Sequence, residues 1–177
     1  MPARRTFLFA LGATCLPAVA ARAQSPGELL VAAIQDGGKT MYLRSKTSDA
    51  ARVADRLGRA LRALRVPLNE ILASPVPGAR ETADIAFGAD LVRVTRDLVA
   101  REDTRRLIGT PAGPGMNRDL DGERAALEQA AGRAFDDRLL PEGAMAVFLP
   151  GGGLELLGTI TAEQVIASAE RRGALPR

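Results

Sequence analysis

The sequence predicts an α/β fold in which a mostly parallel central sheet is covered by helices on both faces. Short apolar runs of strand length alternate with segments whose apolar residues recur at helical spacing, which is typical of this fold class. Near the end of the chain, two apolar runs flank Pro150 and three successive glycines, a pattern that indicates an antiparallel hairpin. With five Phe, one Tyr and no Trp, the core must consist mainly of Leu, Val, Ile and Ala.

The first half of the chain is predicted to alternate helix and strand three times. Gly37 and Gly38 end the first helix, Pro67 ends the second and Gly88 ends the third, because glycine and proline stop helices readily. The expected helices cover 25–38, the stretch from Ser48 to Pro67, and 80–87, and the expected strands cover 40–44, 71–73 and 91–94.

The second half is predicted to add two helices, a hairpin and a C-terminal helix. A loop rich in proline and glycine separates the two helices. Thr161 and Gln164 form a capping box that opens the last helix, and Gly173 ends it. The expected helices cover 97–108 and 123–135, and the expected hairpin strands cover 144–149 and 154–160.

Residues 1–23 are predicted to be an export signal that is removed from the mature protein. Arg4 and Arg5 form its charged start, a mostly apolar run follows, and Ala21-Arg22-Ala23 is typical of a cleavage site. The paired arginines followed by Thr-Phe-Leu favour the twin-arginine route, which exports folded proteins. An ordinary secretory signal that carries two arginines is the alternative. Either route predicts a protein that is periplasmic or secreted.

Removal of this signal changes the charge and the cysteine content. The whole chain has 24 basic and 21 acidic residues, and three of the arginines lie in the signal, so the mature domain at 24–177 is formally neutral. We therefore expect neither nucleic acid nor an anionic membrane as a partner. Cys15 is the only cysteine, and the residues before it fit a lipoprotein signal poorly. The mature domain should have no disulfide and no thiol chemistry.

Two stretches carry a family resemblance. The stretch 37–49 reads GGKTMYLRSKTSD, and the stretch 71–88 reads ILASPVPGARETADIAFG. Both resemble the histidine phosphatase superfamily, the phosphoglycerate-mutase-like proteins, and specifically its exported bacterial branch. The resemblance implies a three-layer α/β/α sandwich and phosphoryl transfer through a phosphohistidine. The chain, however, contains no histidine.

The resemblance also implies that the catalytic positions have been replaced. In the superfamily an arginine and the nucleophilic histidine end the first strand, and here Arg44 matches the arginine while Ser45 stands at the position of the nucleophile. In the second motif Gly78 replaces an arginine that grips phosphate, whereas Arg80 matches an arginine that is not a phosphate ligand. Glu123 stands where the second histidine would be.

The polar stretch 116–123 is expected to be a loop. Charged residues such as Arg118, Asp119 and Asp121 are rarely buried in the middle of an apolar sheet, so the sheet is expected to lack a strand or end early here. Its carboxylates would repel phosphate from the start of the next helix. They could in principle hold Ca²⁺, although helix capping is the commoner role for such residues.

The superfamily also uses an acidic general acid after the third strand. Asp97, Glu102 and Asp103 are candidates, but no spacing selects one of them, and a solvated helix face is the favoured interpretation.

We therefore expect a non-catalytic pseudophosphatase that binds a ligand or partner. Arg44, Lys46 and Arg80 would form the positive edge of the former pocket and would bind phosphate or another small anion, or a periplasmic protein. No cofactor and no metal is expected, because the mature chain lacks histidine and cysteine ligands. One alternative is a phosphomonoester hydrolase whose active site is rebuilt around Arg44, Ser45, Lys46 and Arg80. The other is a decaying paralogue without selected activity.

Overall fold

The computed structural model describes residues 25–45, 50–151 and 153–176, so the predicted export signal and Lys46 lie outside the described residues. Helices and strands alternate along the chain and end in a hairpin and a helix. The elements are α1 (Pro26–Gln35), β1 (Thr40–Arg44), α2 (Ala50–Ala63), β2 (Leu68–Ala73), α3 (Pro77–Phe87), β3 (Val92–Val94), α4 (Arg101–Gly109), β4 (Asn117–Gly122), α5 (Arg124–Ala131), β5 (Ala144–Leu149), β6 (Glu155–Thr161) and α6 (Ala162–Arg171).

The strands form one six-stranded sheet in the order β3-β2-β4-β1-β5-β6. Strands β3, β2, β4 and β1 pair in parallel, whereas β5 is antiparallel to β1 and β6 is antiparallel to β5. The predicted parallel sheet with a C-terminal antiparallel hairpin is therefore confirmed. Since β1, β2 and β4 run in the same direction, their carboxyl ends meet at one edge of the sheet.

Helices cover both faces of the sheet, as predicted. Helices α1, α2, α3 and α6 pack on one face around a core that includes Ile34, Leu57 and Val165. Helices α4 and α5 pack on the other face around a second core that includes Ile108 and Leu127. The result is a three-layer α/β/α sandwich. None of the helices in the described ranges has the length and apolar character needed to span a bilayer.

The loop predicted at 116–123 was wrong, because this stretch contains β4, an inner strand between β1 and β2. All six of its residues are buried. The Asn117 side chain accepts a hydrogen bond from the Lys39 N–H at 2.9 Å and donates to the Ile34 carbonyl at 2.7 Å. The Arg118 guanidinium donates to Glu70 at 2.6 Å and to the Leu107 carbonyl at 2.8 Å. A polar strand is buried here because tertiary contacts satisfy its first two side chains.

Smaller differences concern the ends of helices. The helix predicted at 97–108 is a short 3₁₀ helix, Arg96–Leu98, followed by α4. The helix predicted at 123–135 ends earlier, because Gly132 adopts the left-handed conformation with φ 66° and terminates α5. The capping box of α6 is confirmed, with Gln164 N–H donating to Thr161 Oγ1 at 3.2 Å.

Candidate functional site

The carboxyl ends of β1, β2 and β4 form the candidate site, and backbone hydrogen bonds hold them together. The Ser45 N–H, just beyond β1, donates to the Gly122 carbonyl at 3.0 Å. The Ser74 N–H, just beyond β2, donates to the Asp121 carbonyl at 2.9 Å. Helices α3 and α5 begin close to this edge in sequence. In parallel α/β sheets this edge is where ligands bind.

Of the three positions that the sequence resemblance aligns with catalytic residues, Ser45 and Glu123 directly follow β1 and β4 at this edge, and Gly78 lies at the start of α3. Ser45 follows β1 directly, and its N–H is bonded to the residue that precedes Glu123. Gly78 lies in the first turn of α3, where its carbonyl accepts a hydrogen bond from Thr82 Oγ1 at 2.7 Å. With no side chain, Gly78 supplies only backbone groups to the site.

The Arg44 guanidinium is held by the segment that follows α5. Its side chain is 13% exposed, and Nη1 donates to Asp137 Oδ1 at 2.5 Å and to the Leu140 carbonyl at 2.7 Å. Its Nη2 lies 4.0 Å from a carboxylate oxygen of Glu142. The hydrogen bond from Arg44 and the charge of Arg124, whose Nη1 lies 2.8 Å from Asp137, lower the pKa of the Asp137 carboxyl. The arginine therefore already has acidic partners from its own chain.

Arg80, another of the three predicted ligand-binding residues, is paired within its own helix. The Arg80 Nε lies 3.3 Å from Asp84 Oδ2, one turn further along α3, and its side chain is 60% exposed. Lys46 lies outside the described residues. The proposed positive edge formed by Arg44, Lys46 and Arg80 stays a prediction, although the two described arginines are each in an ion pair.

Glu123 precedes α5 and makes no side-chain hydrogen bond to the helix that it opens. Its backbone carbonyl instead accepts a hydrogen bond from the buried Tyr42 hydroxyl at 3.0 Å. Burial raises the pKa of Tyr42 far above its usual value, so the phenol remains a proton donor. A Cβ atom on Gly122 would clash with the buried Tyr42 hydroxyl oxygen, so the packing of Tyr42 against β4 requires glycine at this position.

The structure also contains a feature that the sequence interpretation missed, which we call the buried acid pair, Asp119 and Asp121. Both residues are at 0% exposure, and their carboxyl oxygens have no hydrogen-bond partner of ordinary geometry within the described chain. Burial is the main cause that raises both pKa values, to about 6 for Asp119 and well above the usual value for Asp121. The sequence signal was the alternation Asp-Leu-Asp, which places both aspartates on one face of a strand.

Among the described residues, no third potential metal ligand joins the buried acid pair. Within the described residues there is no group of three or more His, Cys, Asp or Glu side chains arranged to hold a metal ion. The Ca²⁺ arrangement considered for Asp119, Asp121 and Glu123 is not formed, because Glu123 is exposed while the two aspartates are enclosed in the sandwich.

Comparison with known proteins supports the fold assignment. No protein-family model matches the sequence, and no curated protein matches it significantly. Among solved structures, the chain is similar to one from Agrobacterium tumefaciens that is named as a phosphohistidine phosphatase, SixA. The two share 17% sequence identity and superpose with a TM-score of 0.50, over 70% of this chain and 97% of the other. The chain therefore shares its fold with this structure, which confirms the predicted resemblance at the level of the fold.

Proposed function

We propose that this protein is an exported pseudophosphatase, a histidine-phosphatase fold that has lost its chemistry and binds a partner in the periplasm. The absence of histidine from the whole chain is the observation that carries this proposal. Transfer through a phosphohistidine requires an imidazole as nucleophile, and no other side chain changes protonation so close to neutral pH without being perturbed. Ser45 could replace it only with a neighbouring base.

The electrostatics of the candidate site support a partner other than a free phosphate. Arg44 and Arg124 converge on Asp137, and Glu142 lies close to Arg44. Glu123 adds a carboxylate at the start of α5, where exposed N–H groups would otherwise attract an anion. A phosphate would have to displace Asp137 and approach these carboxylates. This arrangement disfavours a small anion, and the proposal therefore takes a periplasmic protein as the partner.

The central experiment assays the exported protein, purified from the periplasm, with a general phosphomonoester substrate. We expect turnover no faster than the buffer blank, and no mass increase corresponding to a phospho-adduct after incubation with substrate. Arg44→Ala serves as the matched variant. Turnover by the wild type that disappears in Arg44→Ala would overturn the proposal and favour the hydrolase with a rebuilt site.

Export is tested separately by identifying the first residue of the purified protein and by substituting the paired arginines. The mass of the periplasmic form should correspond to a chain that begins at Gln24. Replacing Arg4 and Arg5 by lysines should block export by the twin-arginine route but leave an ordinary secretory route working, because lysine preserves the positive charge. Recovery of an unprocessed chain from the cytoplasm alone would contradict the assignment of an export signal.

A further inference from the structure

The buried acid pair suggests a property that is independent of the proposed function. We propose that Asp119 and Asp121 form a proton-binding site in the core, so that folding takes up protons and acidification stabilises the native protein. The pair lies on an inner strand, on the face that packs against α1, α2, α3 and α6. Water cannot stabilise the charged form of either carboxyl, because neither side chain reaches solvent.

The side chains around the pair on the neighbouring strands are apolar. Asp119 is paired in register with Met41 of β1 and Ile71 of β2. Asp121 is paired in register with Leu43 and Ala73 of the same two strands. In a parallel pairing, residues in register point to the same face, so each carboxyl lies between two hydrocarbon side chains.

Charged groups on the packed elements do not neutralise the pair. Asp84 of α3 is near enough to raise the pKa of Asp121 further, and its own ion pair is with Arg80. Helix α2 contributes apolar side chains to this core: Ala54, Leu57, Ala60, Leu61. The nearest arginine along β4 is Arg118, which points to the opposite face, where it donates to the Leu107 carbonyl and to Glu70. In the part of the chain that the structure describes, no cation compensates the pair.

Physical chemistry then requires that the native state keep at least one proton. An isolated ionised carboxylate in an apolar core costs so much free energy that the group takes up a proton instead. Two carboxyls two residues apart on one strand face cannot both ionise without repelling each other. The protonation of each carboxyl affects the pKa of the other, as in carboxyl pairs that share one proton. The neutral pair can be buried where the doubly charged pair cannot.

The sign of the pH effect follows from the two states of the protein. In the unfolded chain both aspartates lose their protons near pH 4. In the native state Asp119 keeps its proton up to a pKa of about 6, and Asp121 keeps its proton to a higher pH. At any pH between the unfolded-state and native-state pKa values, the native state binds more protons than the unfolded state. The free energy of unfolding therefore falls as the pH rises.

Urea unfolding of the exported protein between pH 5 and pH 7 measures this effect. We expect the unfolding equilibrium constant to increase at least about tenfold over this range, since a difference of one pKa unit changes it tenfold per titrating group. The variants Asp119→Asn and Asp121→Asn keep the shape of the side chain but cannot ionise. Each should reduce the pH dependence and stabilise the protein at pH 7. The matched control is Asp90→Asn, an exposed position between α3 and β3 that should leave the pH dependence unchanged.

A second measurement does not depend on the variants folding. The infrared spectrum of the native wild type at pH 7 should contain the carbonyl stretch of a protonated carboxyl, and unfolding at the same pH should remove it. A wild-type stability that stays constant or rises from pH 5 to pH 7 would overturn the proposal. So would asparagine variants that retain the full wild-type slope, or a native spectrum without a protonated carboxyl.

Discussion

Replacement of Arg44 by methionine separates a structural role for this arginine from a ligand-binding role. The guanidinium is 13% exposed and donates at 2.7 Å to the carbonyl of Leu140, a fully buried residue. A hydrogen bond from a charged donor contributes about 1.5–3 kcal/mol, and leaving the carbonyl without a partner costs about 1–3 kcal/mol. The two free energies overlap, because both include the loss of the same hydrogen bond to Leu140, so they cannot simply be added. We therefore expect Arg44→Met to lower the free energy of unfolding by about 2–4 kcal/mol, less than the sum of the two figures. The ion pair with Asp137 adds little, because that carboxylate is 73% exposed.

The assay is urea unfolding at pH 7, followed by circular dichroism, with and without millimolar phosphate. Arg80→Met is the matched control, since its guanidinium is 60% exposed and its ion pair lies within one helix. It should change stability little. We expect phosphate to leave the unfolding midpoint of the wild type unchanged. The reasoning is refuted if Arg44→Met is as stable as the wild type and phosphate stabilises only the wild type, because Arg44 would then be a free ligand-binding group.

Two further predictions concern stability. Hydrogen bonds from Arg171, the last residue of α6, and from Arg172, which follows it, lower the pKa of Glu28 to about 2. The contribution of Glu28 to stability is therefore present above its ordinary pKa near 4.5 and is lost as the pH falls towards 2. Glu28→Gln should lower the free energy of unfolding at pH 7 by about 1–2 kcal/mol, a figure reduced because the side chain is partly exposed. It should also weaken the fall in melting temperature as the pH is lowered from 4.5 towards 2. An unchanged fall in melting temperature would contradict this. A Cβ on Gly58 would lie 1.7 Å from the Ala86 carbonyl oxygen, so Gly58→Ala should force α2 and α3 apart and cost about 1–3 kcal/mol in urea unfolding. Arg59→Ala, on the exposed side of the same helix, is its control, and equal stabilities of the two variants would argue against the close contact.

The elements that local patterns specify were predicted well. The hairpin of β5 and β6 follows from two apolar runs around glycines, and the start of α6 follows from the capping box at Thr161. Both signals act between residues that are close in sequence. The early end of α5 at Gly132 was missed, although a glycine after an alanine-rich run is itself a local stop signal.

The candidate site was predicted only in part, because its side chains find their partners far along the chain. The match of Arg44 to the family arginine came from its place at the end of a strand, but its hydrogen bonds reach Asp137 and Leu140, more than ninety residues away. No spacing rule indicates such a partner. The sequence suggested an arginine available to a ligand, whereas the folded chain surrounds that arginine with carboxylates.

The sequence by itself determined the fold class, the alternation of elements and the absence of histidine, because these depend on residue types and short-range periodicity. Tertiary structure alone decided that the polar stretch Asn117–Gly122 is an inner strand. It buries Asn117 and Arg118 because distant groups satisfy them, and it encloses Asp119 and Asp121 without a hydrogen-bond partner among the described residues. A hydrophobicity pattern measures the cost of burying a polar group but not the contacts that offset that cost, since those contacts exist only once the chain has folded.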